Sequence, residues 1–298
     1  MIEPVLADDA LLHAIASTRS EPEGFRLWWL GQSGFLVQWR ERHLLMDPYL
    51  SESLTKKYAS TDKPHVRMTR RAVAPERLDF IDVVTSSHAH TDHLDGETLG
   101  PLRRANPGLR LVIPEANRGL VADRLQCDPS WPLGLDDGRR LEAAGFRIAA
   151  VPAAHEQIDR DGEGRCRHLG YVVRFGTFSL YHPGDCVPYE GQVERLRAFE
   201  VDLALLPING RAPERRVPGN FTGPEAAGLA HSIGARLVIP CHYDMFEFNT
   251  ASPDAFRAEA ARLGQPCCVL RCGERFSSAE LPARPFRGEK ATRGQETT

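Results

Sequence analysis

Three imidazoles and a carboxylate fall within six positions in Ser87-His88-Ala89-His90-Thr91-Asp92-His93, directly behind the apolar run Ile81-Asp-Val-Val-Thr85. Such a run reads as a strand that feeds a turn. In an extended segment side chains repeat every second residue, which points His88 and His90 the same way. A turn after His90 then swings Asp92 and His93 to a neighbouring point, a geometry suited to two metal ions about 3.5–4 Å apart. A solvated turn carrying histidines by chance has no reason to gather three of the chain's 11 histidines behind an apolar strand. Further donors close apolar runs: His155 after Ile148-Ala-Ala-Val-Pro-Ala-Ala, Asp185 after Leu180-Tyr-His-Pro-Gly, and His242 after Leu237-Val-Ile-Pro-Cys. Each alone suits a hydrogen-bonded structural residue. Together they suggest ligands collected where strands end.

The elements that must position these donors can be read from local patterns. Residues 1–16 read as a polar helical lead-in. Short strand-like runs follow at Phe25-Arg-Leu-Trp-Trp-Leu, Phe35-Leu-Val-Gln-Trp and His43-Leu-Leu-Met-Asp, broken by Gly31-Gln-Ser-Gly34 and a charged turn. Residues 49–77 are polar without a clear period, and a loop of that length is a candidate lid. A helix is expected over 95–104. Beyond it, strands are expected at 109–113, 146–151, 169–175, 178–182, 201–206, 236–240 and 267–271, and helices at 115–126, 190–199, 223–233 and 254–263. Thr222-Gly-Pro-Glu225 carries a cap, a proline and a first-turn acid, which is a helix start. A β-rich opening followed by interleaved strands and helices fits a β-sandwich with helices packed outside better than a doubly wound sheet. Residues 1–282 read as one domain, and 283–298 as a disordered tail too polar to bury.

Composition removes several alternatives. The chain has 298 residues, 42% hydrophobic and 26% charged, as globular proteins do. That length can bury about three quarters of its unfolded surface, so the core needs no metal or disulfide. Thirty-seven basic against 40 acidic residues leave a net charge of −3. A nucleic-acid binder usually shows a basic excess, so this balance argues against one. Only Lys56, Lys57, Lys63 and Lys290 are lysines, an arginine bias read first as genome composition. No apolar run approaches the ~18 residues of a membrane span, and the first residues lack the basic-then-apolar pattern of a secretory leader. The seven cysteines lack zinc-ribbon spacing and are expected to be buried, reduced thiols in a cytoplasmic protein.

The order His88-x-His90-x-Asp92-His93, His155, Gly184-Asp185, His242 resembles the metallo-β-lactamase superfamily across roughly residues 25–276. A closer resemblance, to the L-ascorbate-6-phosphate lactonase branch, rests on Leu27-Trp-Trp-Leu-Gly-Gln-Ser-Gly34, Ser179-Leu-Tyr-His-Pro-Gly-Asp185, Val201-Asp-Leu-Ala-Leu205 and Val238-Ile-Pro-Cys-His-Tyr-Asp244. In outline the branch also resembles N-acylphosphatidylethanolamine phospholipase D. The resemblance implies an α+β, αββα fold: a β-sandwich of two mixed sheets with helices on both outer faces and the metal site at one rim. It implies that His88, His90 and His155 hold one ion, that Asp92, His93 and His242 hold a second, and that Asp185 bridges them. An all-N/O set admits zinc, manganese or iron, with zinc favoured here for a histidine-rich set. Two cations sharing a water bring its pKa towards neutrality and yield a hydroxide nucleophile. Asp92, touching both metal and water in that arrangement, is the expected proton acceptor.

Supporting residues have two readings each. Asp47 matches the position where the family places a carboxylate beneath the metal site, and it equally suits a turn before Pro48. Asp95 and Asp244 share that ambiguity, and His182 is structural or an outer support of the ligands. In the irregular stretch 208–220, Asn209, Arg211, Arg215, Arg216 and Asn220 are candidate substrate contacts, because loops on a rigid scaffold usually carry specificity. Tyr243 could offer a hydroxyl to an oxyanion. Trp28 and Trp29 read as packing residues.

The leading expectation is a two-ion hydrolase of a small lactone, phosphorylated or not. A phosphodiesterase like the phospholipase is the alternative, and a non-enzymatic metal- or nucleic-acid-binding protein is the second. Loss of a ligand would mark the last, and all seven are present. The expected partner is a small-molecule substrate, and self-association is compatible with the sequence.

Overall fold

The computed structural model of the protein describes residues 1–19, 21 and 23–283. Its frame is two mixed sheets. The first has seven strands in the order β13-β1-β2-β3-β4-β5-β6. These are β1 (Arg26–Gly31), β2 (Gly34–Trp39), β3 (Arg42–Met46), β4 (Val83–Thr85), β5 (Arg110–Pro114), β6 (Leu133–Leu135) and β13 (Arg275–Ser277). The second runs β12-β11-β10-β9-β8-β7. Its members are β7 (Arg140–Ala143), β8 (Phe146–Pro152), β9 (Leu169–Phe175), β10 (Phe178–His182), β11 (Leu203–Pro207) and β12 (Leu237–Cys241).

Alternation along the first sheet decides what lies on each side. Leu27, Trp29, Phe35, Val37, Leu44, Met46, Val83 and Val112 point into a core shared with the second sheet. Their neighbours Trp28, Leu30, Leu36, Leu45, Val84, Leu111 and Ile113 point outward to a separate apolar layer. Helices α1 (Asp8–Ser17), α3 (Gly96–Ala105) and α4 (Arg118–Leu125) cover that outer face, α1 through Leu11 and Ile15 and α3 through Leu99 and Leu102. On the far side of the second sheet lie α5 (Gln192–Arg197), α6 (Gly223–Ile233) and α7 (Asp254–Leu263), with Leu196, Ala226, Ala230, Ile233, Phe256 and Ala260 in the core. Strands buried on both faces read as continuous apolar runs, as β11 does. The result is the αββα sandwich.

Two parallel pairs bring strand ends level with one another: Met46 of β3 pairs with Thr85 of β4, and Pro207 of β11 with Cys241 of β12. Thr85 also pairs with Val112, inside β5. Segments leaving these ends open on one rim of the sandwich.

Several local expectations need correction. Residues 267–271 form no strand: Cys267 makes a single bridge to Val238. The edge of the first sheet is instead completed by β13, which pairs antiparallel with β1. β-propensity reports fit to a pleated, half-buried surface, and pairing partners decide where that surface is. The polar stretch 49–77 contains the helix α2 (Ser53–Tyr58) and a 3-10 turn, Pro75–Arg77, both too short to display a period. The helix expected over 115–126 is split into a 3-10 turn, Glu115–Asn117, and α4. β6 and β7 escaped the local pattern for their brevity. All seven cysteines are free thiols, though Cys127, Cys267 and Cys268 are only half-buried. Beyond Ala283 the expected tail lies outside the described residues. No helix among those described is long and apolar enough to cross a membrane.

Candidate metal centre

The segment after β4 turns sharply enough to fold back on itself, with the His93 and Leu94 amides both donating to the His90 carbonyl at 3.0 and 2.8 Å. Asp95 then caps α3 by accepting from the Glu97 amide (3.3 Å), so its carboxylate serves the helix N-terminus. The other donors follow strand ends: His155 after β8, Asp185 after β10 and His242 after β12. Backbone strain marks the rim, since Gln32 (φ 51°), Asp47 (φ 39°) and His242 (φ 63°) all lie in the left-handed region. Such conformations cost of order 1 kcal/mol or more and persist where surroundings dictate them. Gly184 (φ +65°) is required for space as well, because a Cβ there would overlap the Ser87 side chain.

Two donor groups result. Ligand atoms of His88, His90, His155 and Asp185 all lie within 4.8 Å of one another, as do those of Asp92, His93, Asp185 and His242. Asp185 belongs to both. Its Oδ2 is 3.4 Å from His155 Nε2, while its Oδ1 is 3.2 Å from His93 Nε2 and 3.3 Å from His242 Nε2. Asp92 Oδ2 is 3.6 Å from each of the same two imidazole nitrogens.

The donors suit divalent ions. Tetrahedral bonds of about 2.0–2.1 Å place neighbouring ligand atoms about 3.4 Å apart, and the separations above bracket that value. His88 Nε2 is buried without a hydrogen-bond partner, which is costly for a group that faces nothing.

Hydrogen bonds behind the imidazoles select their tautomers. His93 Nδ1 lies 2.6 Å from Asp47 Oδ2, and His155 Nδ1 lies 2.9 Å from the Gly219 carbonyl. With acceptors on those sides, Nδ1 carries a proton and Nε2 is the nitrogen that faces the donor group. His88 Nδ1 meets Ser87 Oγ at 3.0 Å, and Ser87 in turn donates to Asp47. Asp47, His88 and His93 also approach one another closely, but His93 Nδ1 is already committed to Asp47. The carboxylate therefore reads as an orienting group.

The charges balance internally. Burial opposes ionisation of Asp185, yet His242 and His93 hold its carboxyl well below the usual carboxylate range. Burial likewise opposes charge on Asp92, and His93 and His242 overcome it. Against its own burial, His242 is raised to about 9 by Asp185 and Asp92. His93 is held well above the ordinary imidazole value by the same two carboxylates, again despite burial. His88, by contrast, is pushed well below that value, first by burial and then by its imidazole neighbours.

A cavity of ≈ 370 Å³ opens on the donors, and His90, Asp92, His155, Asp185 and His242 form part of its wall. That is the size of a small-molecule site. The candidate substrate contacts mostly lie elsewhere. Tyr243 is buried and its hydroxyl donates to the Leu270 carbonyl, so it faces away from the cavity. Arg211 forms a two-pronged pair with Glu225 (2.6 and 2.7 Å), Asn220 accepts from the Cys186 amide (2.7 Å), and Asn209 donates to Asn249 (2.9 Å). Arg215 is tied to the Asn209 and Thr250 carbonyls. Arg216 alone of the loop arginines lines the cavity, paired with Asp62 at 2.7 Å. His182 is buried with its ring edge-on to Phe35 (6.0 Å) and makes no hydrogen bond to a candidate ligand.

Sequence reasoning missed Gln32, whose Nε2 lies 2.7 Å from Asp92 Oδ2 and 3.1 Å from His242 Nε2. The signal was present: a polar pair between two glycines in Gly31-Gln-Ser-Gly34. It also missed Ser87 and the walls supplied by Lys57, Tyr58, His65, Arg124, Phe246 and Phe248, for which no local signal exists.

Comparison with known proteins agrees with this fold. A sequence model of the Beta-lactamase superfamily domain matches residues 26–242. A UPF0173 metal-dependent hydrolase from Opitutus terrae is 31% identical over 257 residues, 84% of this chain and 98% of that protein. Among solved structures, the metallo hydrolase Igni18 from Ignicoccus hospitalis superposes with a TM-score of 0.62 at 22% identity, covering 86% of this chain and 98% of that one. The metallo-beta-lactamase fold protein YhfI from Bacillus subtilis gives a TM-score of 0.59 at 18% identity, over 86% and 100%.

Proposed function

Since the chain belongs to the metallo-β-lactamase superfamily, among the UPF0173 metal-dependent hydrolases, we propose that it opens a small lactone, phosphorylated or not, at a two-ion centre. One ion would be held by His88, His90 and His155, the other by Asp92, His93 and His242, with Asp185 common to both. The observation that carries this reading is the split of Asp185, whose two oxygens face different histidines. A shared carboxylate is what neighbouring cations need to lie close without repelling each other apart. When bound, divalent ions would supply Lewis acidity, lowering the pKa of water and drawing electron density from a carbonyl or phosphoryl oxygen.

The protein's own groups supply the remainder. Asp92, 15% exposed to the cavity, is ionised and can take a proton from an attacking water. Gln32 donates to its Oδ2 and so fixes the plane of that carboxylate. Asp47 and Ser87 hold the imidazoles of His93 and His88 from behind. Leu54, Phe246 and Phe248 add apolar surface to the cavity.

A second reading is supported by the cations Lys57, Arg124 and Arg216 in the same wall: a phosphodiester would use them as readily as a phosphorylated lactone does. Elemental analysis of protein purified without added metal, followed by panels of lactones and phosphodiesters with and without chelator, separates the cases. The lactone reading expects chelator-sensitive ring opening. Turnover of diesters with no lactone would replace it by the second reading, and full activity in chelator with no bound transition metal would defeat both.

A further inference from the structure

One wall of the cavity is aromatic. His65 stacks on Tyr58, with ring centroids 4.2 Å apart and planes at 16°. The same ring meets Phe248 at 4.5 Å and Phe246 at 5.2 Å, both edge-on. Burial lowers the pKa of His65, so at neutral pH the wall is uncharged. The His65 ring is aligned by a contact of 3.3 Å from Nδ1 to the Lys63 carbonyl. Across the opening, Arg216 pairs with Asp62 and Lys63 reaches the Glu214 carbonyl, joining the segment that carries this wall to the loop that follows β11.

The charge of the cavity is one-sided. Among the described residues its lining carboxylates are Asp92 and Asp185, both assigned to the ions. Arg216 is answered by Asp62. Lys57 and Arg124 line the same space and appear in no ion pair among the described residues. The Lys57 ammonium sits 5.1 Å from the centre of the Tyr58 ring, beside the aromatic wall. Arg124 gives its Nη1 hydrogens to the Ala89 and Leu94 carbonyls and keeps its charge.

From these facts, and resting on the hydrolase reading above, we infer that the substrate is an organic anion with a flat apolar group: the ring lies against Tyr58, His65 and Phe248, and the anionic group is met by Lys57 and Arg124. Offset or edge-on aromatic contacts add about 0.5–1.5 kcal/mol beyond area burial, a factor of about 2–12 in affinity.

Calorimetric titration of the metal-loaded protein with three inert probes tests this. Phenylphosphonate should bind about 3–10-fold more tightly than methylphosphonate, and benzyl alcohol should bind more weakly than either. Phe248→Ala should abolish the phenyl advantage while leaving methylphosphonate affinity in place. Lys57→Gln should weaken both phosphonates several-fold and leave benzyl alcohol unchanged. Equal affinity for the phenyl and methyl compounds, or benzyl alcohol binding as well as phenylphosphonate, overturns the inference from the native protein alone, whether or not the variants fold. Because binding is read and not turnover, such a result leaves metal-dependent ester hydrolysis standing. Conversely, a clear preference in a protein that hydrolyses nothing would defeat the reaction and keep the binding class.

Discussion

Asp47 Oδ2 lies 2.6 Å from His93 Nδ1, and both side chains are wholly shut off from solvent. The carboxylate fixes which imidazole nitrogen carries the proton, leaving Nε2 to face Asp92 and Asp185. A residue from the end of β3 thereby controls a donor on the loop after β4. Replacing Asp47 by Asn keeps the shape and tolerates the left-handed backbone, but it removes the charge that orients the ring. Metal affinity, measured by competition with a chromophoric chelator, should fall about 10–100-fold. Unchanged affinity would remove Asp47 from the metal centre.

Asp92 and His242 should separate in their effects. Asp92→Asn at full metal loading should lower kcat at least ~10²-fold, as loss of a general acid–base group does. His242→Ala should first reduce metal occupancy. Near-normal kcat in a fully loaded Asp92→Asn protein would show that another group takes the proton.

Loading with metal should release protons. Without an ion His242 titrates at about 9, above the ordinary imidazole value, so between about pH 6.5 and 9 it holds a proton that a coordinating nitrogen must shed. Affinity should therefore rise with pH across that window. The stabilising interaction of protonated His242 with Asp185 and Asp92 should be present below about pH 6.5 and be lost from the metal-free protein as pH rises through about 9. Calorimetry in two buffers of different ionisation enthalpy counts the protons, and zero release at pH 7.5 would contradict the assignment.

Arg211→Ala should act on stability and spare substrate affinity. Its partner Glu225 closes the capping box of α6 by accepting from the Thr222 amide. The pair is 44% and 30% exposed, so the expected loss is about 1 kcal/mol or less, seen as a modest drop in Tm with KM within twofold of native. A large rise in KM confined to charged substrates would return Arg211 to the binding site.

Gly184→Ala places a methyl group against Ser87 at φ +65°. It should destabilise the fold by at least ~1 kcal/mol and reduce metal occupancy, since Ser87 supports His88. Wild-type stability and occupancy together would show that the loop after β10 yields freely.

How much of this could be read without coordinates follows from the range of each interaction. The donors His88, His90, Asp92 and His93 are close in sequence, and His155, Asp185 and His242 each close an apolar strand. Residue type and position relative to a strand end are local properties, so the sequence alone picked out the seven residues that the fold gathers at one rim. The start of α6 at Thr222 was legible for the same reason: its cap, proline and acid lie within four residues.

Direction and partnership were decided only by the tertiary structure. Nothing near Tyr243 states that its hydroxyl belongs to the Leu270 carbonyl, and nothing near Arg211 that Glu225 has claimed it. His65 and Phe248, far apart in the chain, form one wall, and β13 closes a sheet begun by β1 some 250 residues earlier. Such contacts depend on which surfaces meet when the two sheets stack. A local pattern can state that a side chain is apolar or charged, and only the closed sandwich determines what it faces.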